Sequence, residues 1–312
     1  MVVPGLGLLL HRLVAVLAVG LAGHDPLPEG SVGLARRYPG DAGIAGDPAV
    51  LFHEDFESDD PLSRWDAAYH AHTTHLVADP ARVHRGRRSL EFRVPRQRAE
   101  LSNALVKRLG AGHDRVFLRF YSRYDDAFDQ VGSSHNGGYL AAIAPGLPVA
   151  TPGLRSNGRN KFAVSYESWR GESDTPSPGR LNVYIYHPGQ RSDYGDHFFP
   201  SGTVLPFSAI AGPFGPDFVP RPDVTPPLGR WACYELMVQA NRPGHHDGRV
   251  ACWLDGELIA DFTGLHLRDL DSLKINHVEI NLHIKTNPTR ENRKAYDDIV
   301  IATEYVGPIV EP

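Results

Sequence analysis

The chain has 312 residues, 41% apolar and 22% charged, the balance of a globular protein with a real core, and its length allows one large all-β domain or two smaller ones. A formal net charge of −5 leaves no basic footprint for nucleic acid. The 16 His, 12 Tyr and 4 Trp carry more information, because sugar-binding and proton-transfer sites draw on those types.

Residues 1–23 read as a secretory signal. An apolar run at 13–20 follows His11 and Arg12, and Gly20, Leu21 and Ala22 offer a small-residue cleavage site. The run is too short to span a bilayer, so the mature chain is expected to be exported with no membrane span. Residues 24–48, rich in Gly, Pro and Ala, read as a linker, and 49–312 as one domain.

Alternating apolar and polar residues predict strands at 50–56, 89–95, 116–124, 161–166, 181–187, 231–240, 250–254, 257–262, 276–285 and 297–303. Asp255-Gly256 marks a hairpin, and no helical periodicity competes. Many short strands with regular turns imply an all-β sandwich or jelly roll of two antiparallel sheets. Two long insertions, at 125–160 and 188–228, carry His, Tyr and Arg instead of filler and read as binding loops. Cys233 and Cys252 lie on consecutive strands; a cross-strand disulfide and two free buried thiols are both open. Neither belongs to a Cys-x-x-Cys pair, so a zinc site is not expected.

The strand at 276–285 is the most telling. Val278, Ile280, Leu282 and Ile284 fall on one face; His277, Glu279, Asn281, His283 and Lys285 fall on the other. Three further strands repeat the pattern, setting Arg119, Tyr121 and Arg123, then Asn182, Tyr184 and Tyr186, then Glu235 and Gln239 opposite their apolar sides. If the four share a sheet, they line a single polar groove suited to a saccharide. His135, Asn136, His187, Tyr194 and His197, in the insertions or at strand ends, are expected to close over a substrate. Glu54, Asp55 and Asp298, with Asp297, supply hard oxygens of the kind a structural Ca²⁺ takes, or else form a solvated acidic edge.

Four segments carry a resemblance to a known group. They are Phe52-His53-Glu54-Asp55-Phe56-Glu57, Gly229-Arg230-Trp231, the Trp253-Leu254-Asp255-Gly256-Glu257-Leu258 hairpin, and the closing run from Tyr296 to Tyr305. Across roughly residues 50–308 the chain resembles concanavalin A-like jelly rolls, particularly secreted polysaccharide lyases of alginate-lyase and glucuronan-lyase type. Laminin G-like modules share the first and last segments. The resemblance implies cleavage of an acidic, uronate-containing polysaccharide by β-elimination, with no cofactor for the chemistry. It implies Tyr184 or Tyr186 as acid or base, His277 or His283 as base, and Arg119, Arg123, Gln239, Asn281 and Lys285 as carboxylate holders. The Gln-Ile-His and Tyr-Phe-Lys-Ala-Gly signatures of the best-known alginate lyases are absent, as is the Glu-x-Asp-x-x-Glu run of glycosidases of this fold. A non-catalytic carbohydrate-binding or adhesion module is the alternative, with a hydrolase using Glu235 and Glu279 behind it.

Overall fold

Alternation in the chain becomes two stacked sheets in the computed structural model, which describes residues 25–132, 134–148, 151–171, 175–205, 214–285 and 290–312. The leader expected at 1–23 lies outside the described residues. The first strands are β1 (Val50–Glu54), β2 (Ala67–Tyr69), β3 (Thr74–Val77), β4 (Ser89–Val94) and β5 (Leu101–His113). Next come β6 (Arg115–Tyr124), β7 (Ser134–His135), β8 (Gly138–Ile143), β9 (Lys161–Trp169) and β10 (Arg180–Tyr186). The chain continues through β11 (Asp196–Phe198), β12 (Val204–Leu205), β13 (Ala232–Gln239) and β14 (Gly248–Leu254). It closes with β15 (Glu257–Leu265), β16 (Ile275–Ile284) and β17 (Asn292–Ala302).

Among the described residues, eight strands form sheet A in the order β15-β14-β13-β6-β17-β4-β3, with β1 also on β17. Nine form sheet B in the order β12-β11-β10-β9-β8-β16-β5-β2, with β7 also on β16. Neighbours in both sheets run antiparallel. The expected two-sheet β-sandwich is therefore the fold.

The core lies between the sheets. Leu118, Phe120, Leu236, Val238 and Tyr296 face inward from sheet A; Leu140, Val164, Val183 and Ile185 face inward from sheet B, with Val278, Ile280, Leu282 and Ile284 of β16. Those four β16 side chains have no exposed surface, and burying each contributes roughly 1.5–3 kcal/mol. This fixes the register of β16, since a one-residue slip would turn all four outward. At Gly138 the sheets come so close that a β-carbon would lie 2.5 Å from the Phe120 ring. The Gly137-Gly138 pair, read in sequence as part of an insertion, thus opens a central strand of sheet B.

The supposed linker is not a linker. From residue 25 it packs on the outer face of sheet A with the C-terminal segment. Leu34 and Ala35 donate backbone bonds to the carbonyls of Tyr305 and Val306 at 3.0 and 2.9 Å, and Trp253 donates to Pro28 at 2.8 Å. Leu34, Ala35 and Ile44 form a second small core with Val300, Ala302 and Val306. Cys233 and Cys252 are both buried free thiols. No described helix is long and apolar enough to cross a membrane.

Candidate active site

The four polar stripes do not share a sheet. β6 and β13 pair in sheet A, where Arg119 faces Glu235; β10 and β16 belong to sheet B. On sheet B the polar residues of adjacent strands meet on one face. β10 sets Tyr184 beside Ser165 and Asn182 beside Glu167 of β9, β11 sets His197 beside Tyr184, and β7 sets His135 beside His283 of β16. The approach of β7 and β8 to β9 depends on Gly137, where a β-carbon would stand 1.9 Å from the Tyr166 carbonyl oxygen.

The aromatic rings form a row. His197 and Tyr184 lie 4.8 Å apart between centroids, Tyr184 and His135 4.8 Å, and His135 and His283 5.4 Å. Trp169 flanks His197 at 5.0 Å. Each ring is tied at one nitrogen or oxygen. His135 Nδ1 donates to Glu167 Oε2 at 2.8 Å, and it carries the proton because a carboxylate only accepts. His197 Nδ1 bonds Asn182 Oδ1 at 2.9 Å; the Asn182 amide nitrogen faces the carbonyls of Glu167 and Arg180, which orients the oxygen toward His197. His283 Nδ1 meets the Ser102 hydroxyl. The Tyr184 hydroxyl accepts from the Gly195 N–H at 2.8 Å and has Tyr186 OH at 3.4 Å as its weak second partner.

Electrostatics divides the histidines. Burial pushes His197 down to about 3 and His283 to about 4, with the neighbouring His135 charge adding to both. Burial pulls His135 the same way, but the charge and hydrogen bond of Glu167, helped by Glu279 and Glu100, outweigh it and leave His135 raised. Burial also raises Tyr184, so its hydroxyl is protonated at neutral pH. At the start of β9 the Lys161 ammonium sits 3.8 Å over the Tyr186 ring and bonds both oxygens of Thr151 at 2.8 and 2.6 Å, and burial lowers it to about 8. The result is one imidazole favoured toward its protonated form, two neutral imidazoles and a protonated phenol within one row.

The remaining expected residues are placed as follows. His277 and Glu279 are on the same face, bonded to each other at 2.6 Å, and His277 meets Tyr139 edge-on at 5.9 Å. Asn281 is there too, but its side-chain oxygen is taken by the Gly137 N–H at 3.2 Å. Lys285 is exposed just past the end of β16, and Tyr194 is exposed beside Gly195. Asn136 turns inward instead: its amide oxygen accepts from Tyr124 OH and the Ser168 N–H, so it is held in the interior. His187 follows Ile185 in facing, pairs with Asp196 at 3.0 Å, and lines a separate cavity of about 100 Å³ with His246 and His266.

Arg119, Tyr121, Arg123, Glu235 and Gln239 are on sheet A, away from the row. Arg119 is fully buried, paired with Asp41 and donating to the Asp298 carbonyl at 2.9 Å. Tyr121 OH accepts from the Ile309 N–H, Arg123 binds Asp126 and the Gly229 carbonyl, and Gln239 lies between Arg115 and Arg249. Both Glu235 oxygens cap the N–H groups of Val306 and Gly307, at 2.7 and 2.8 Å. Glu235 and Glu279 are thus on different sheets and form no carboxylate pair. Nor do the expected calcium ligands converge. Glu54 accepts from the Phe56 N–H and burial lifts it to about 7, Asp55 caps the Glu57 N–H, and Asp298 holds His84 at 2.6 Å. Among the described residues no group of three or more His, Cys, Asp or Glu is arranged to hold a metal ion.

Sequence reasoning passed over Glu167, Ser165, Lys161 and Trp169. The signal is in the alternation: Lys161 and Ser165 lie inside the expected strand at 161–166, β9 runs on to Trp169, and its period of two puts all four on the face of Tyr184.

No protein-family model matches the chain, and no curated protein matches it. Solved structures do. The alginate lyase Aly36B is 14% identical over 85% of this chain and 99% of its own, with a TM-score of 0.55. The alginate lyase vAL-1 from Chlorella virus is 12% identical over 81% and 99%, with a TM-score of 0.56. The endo-β-1,4-glucuronan lyase from the fungus Trichoderma reesei is 13% identical over 81% and 95%, with a TM-score of 0.50. At these identities the likeness establishes the jelly-roll fold.

Proposed function

We propose that the protein is a polysaccharide lyase that cleaves a uronate-containing chain by β-elimination on the outer face of sheet B. One observation carries this reading: Tyr184, kept protonated by burial, and His283, kept neutral by burial, stand on either side of His135, whose hold on a proton the Glu167 carboxylate strengthens. Elimination needs those three functions together. A cation that pairs with the uronate carboxylate makes the C5 proton acidic by stabilising the charge that grows in the transition state. His283, neutral above pH 4 and made more basic by the arriving anion, accepts the C5 proton. The C4–O bond breaks as the C4=C5 double bond forms, and Tyr184 gives its proton to the leaving oxygen. The phenolate left behind faces the Gly195 N–H and Tyr186 OH. The jelly-roll neighbours that act on alginate and glucuronan support an acidic polysaccharide as substrate. The apolar run at 13–20 supports action outside the cytoplasm, tested by sequencing the N-terminus of protein recovered from the medium.

The test is product chemistry on a panel of uronans. The expected product carries an unsaturated uronate that absorbs in the ultraviolet, and Tyr184→Phe removes the activity while oligosaccharide binding remains. Binding across the panel with no such absorbance overturns the lyase reading in favour of a carbohydrate-binding module. New reducing ends without unsaturation overturn it in favour of hydrolysis.

A further inference from the structure

We infer that Glu167 is a positioning residue that holds His135 in its cationic form and aims it along the row, so that the site presents one fixed positive charge between two neutral proton-transfer groups. The inference rests on the lyase reading for its purpose, but not for its physical content.

Glu167 has no exposed side-chain surface, and one of its two oxygens accepts two hydrogen bonds. Its Oε2 accepts from His135 Nδ1 at 2.8 Å and from the Ser165 hydroxyl at 2.7 Å. Its Oε1 has no hydrogen-bond partner among the described residues and lies 4.0 Å from His197 Nδ1, whose proton is already directed to Asn182. One imidazole is therefore bonded to the carboxylate and the other is not. That asymmetry matches the opposite displacements of two histidines in comparable surroundings.

The other groups around His135 supply less of the effect than Glu167 does. Tyr184 of β10 and His197 of β11 are neutral at pH 7, as is His283 of β16, and burial disfavours charge on the ring. Glu279 of β16 and Glu100 act on His135 by charge alone. From beneath, Lys294 of sheet A bonds the Asn136 carbonyl and sits 3.9 Å over the Tyr124 ring. Any positive charge on it opposes a cation at His135. Removing the Glu167 charge leaves burial unopposed by any hydrogen-bonded anion. Ser165 donates to the same carboxylate oxygen as His135, which fixes the orientation of that oxygen.

The test is Glu167→Gln, which keeps the shape and removes the charge. Imidazole titration followed by NMR in the full-length protein should show His135 changing protonation at least one pH unit lower in the variant, a tenfold or greater loss of protonated ring at a given pH above it. In the lyase assay the alkaline limb of kcat/KM should move to lower pH by a similar amount, with KM rising more than kcat falls. A merely structural role would lower activity equally at every pH. Ser165→Ala, which removes a hydrogen bond and no charge, should leave the His135 titration in place, and Glu167→Asp should fall between Gln and wild type. If Glu167→Gln does not fold, Glu167→Asp carries the decision: an unshifted His135 there overturns the inference, as an unshifted His135 in Glu167→Gln does. The NMR arm decides the role of Glu167 whether or not the wild type forms an unsaturated product.

Discussion

Arg119 and His135 occupy the outer faces of opposite sheets, and each meets a buried carboxylate. Arg119 is sealed: Asp41 takes its guanidinium, residues 25–49 roof it over, and none of its side chain reaches solvent. His135 keeps about a third of its side chain exposed while Glu167 holds one nitrogen. The same contrast separates Glu235, whose two oxygens are spent on Val306 and Gly307, from Tyr184, whose proton has only a 3.4 Å contact. A polar stripe on a strand therefore says little until it is known what lies over it. On sheet A the stripe is the adhesive that binds residues 25–49 and the segment after β17 to the sandwich; on sheet B it is left with valence to spare.

The largest test of that contrast is a crossed pair of substitutions. Tyr184→Phe is expected to lower kcat/KM by about 10²–10⁴-fold, the usual worth of a positioned proton-transfer group. Its stability should fall only by about 1–3 kcal/mol, from the Gly195 N–H that loses its acceptor. Arg119→Leu is expected to do the reverse. It leaves Asp41 buried without its partner, which destabilises by about 3–5 kcal/mol, while the rate per folded molecule stays at wild type. Denaturant unfolding and initial rates normalised to the folded fraction separate the two. A turnover defect in folded Arg119→Leu would break the comparison.

The two sheets should also divide the pH dependence of stability. His197 and His283, on sheet B, have folded pKa values depressed to about 3 and about 4. Their contribution is whole above the unfolded value of about 6.5 and is lost as pH falls from there. Glu54, Glu235 and Asp297, on sheet A, are raised by burial to about 7, 7 and 9. Their contribution is whole below the unfolded carboxyl range and is lost as pH rises through those values. His135, also raised, adds to the alkaline loss. The two trends oppose each other between about pH 4.5 and 6.5, so the melting temperature should peak in that interval and fall on both sides. Glu235→Gln should flatten the alkaline side and leave the acid side unchanged. A melting temperature that rises steadily from pH 5 to 9 would contradict the assignment of the alkaline limb, and one that rises steadily as pH falls from 6.5 to 4 would contradict the acid limb.

Much of this was legible in single strands. The period of two in β16 separates the core-facing Val278, Ile280, Leu282 and Ile284 from His277, Glu279, Asn281 and His283 on the other face, as the structure does. What a strand cannot carry is the identity of its neighbours, because pairing is decided by topology. Arg119 and Tyr184 have equally good stripes and end on different sheets. β5 escaped notice because Asn103 sits on its inward side, bonded to Thr73, and interrupts the apolar alternation. Residues 24–48 read as a linker because Gly, Pro and Ala dominate their composition; what docks the described part is a few scattered contacts, Leu34, Ala35 and Ile44 in a small core and single bonds at Pro28 and Asp41. Glu167 was lost to a strand boundary set too early.

The smallest expected effect is a null one, and it tests the facing of β13 and β14 directly. Leu236 lies opposite Cys252 in the register and faces the core with it, whereas Cys233 lies on the other side of its strand, against Tyr121. Two thiols on opposite faces of one sheet cannot meet the Cβ separation of about 3.5–4.5 Å that a disulfide requires. Both are pushed well up by burial, so neither offers thiolate for exchange at neutral pH. The melting temperature should therefore be the same with and without a reductant, and both thiols should react with a thiol reagent only after unfolding. A drop of several degrees on reduction would mean that the two cysteines share a face, and with it that the outer face of sheet A has been misassigned from Cys233 to Gln239.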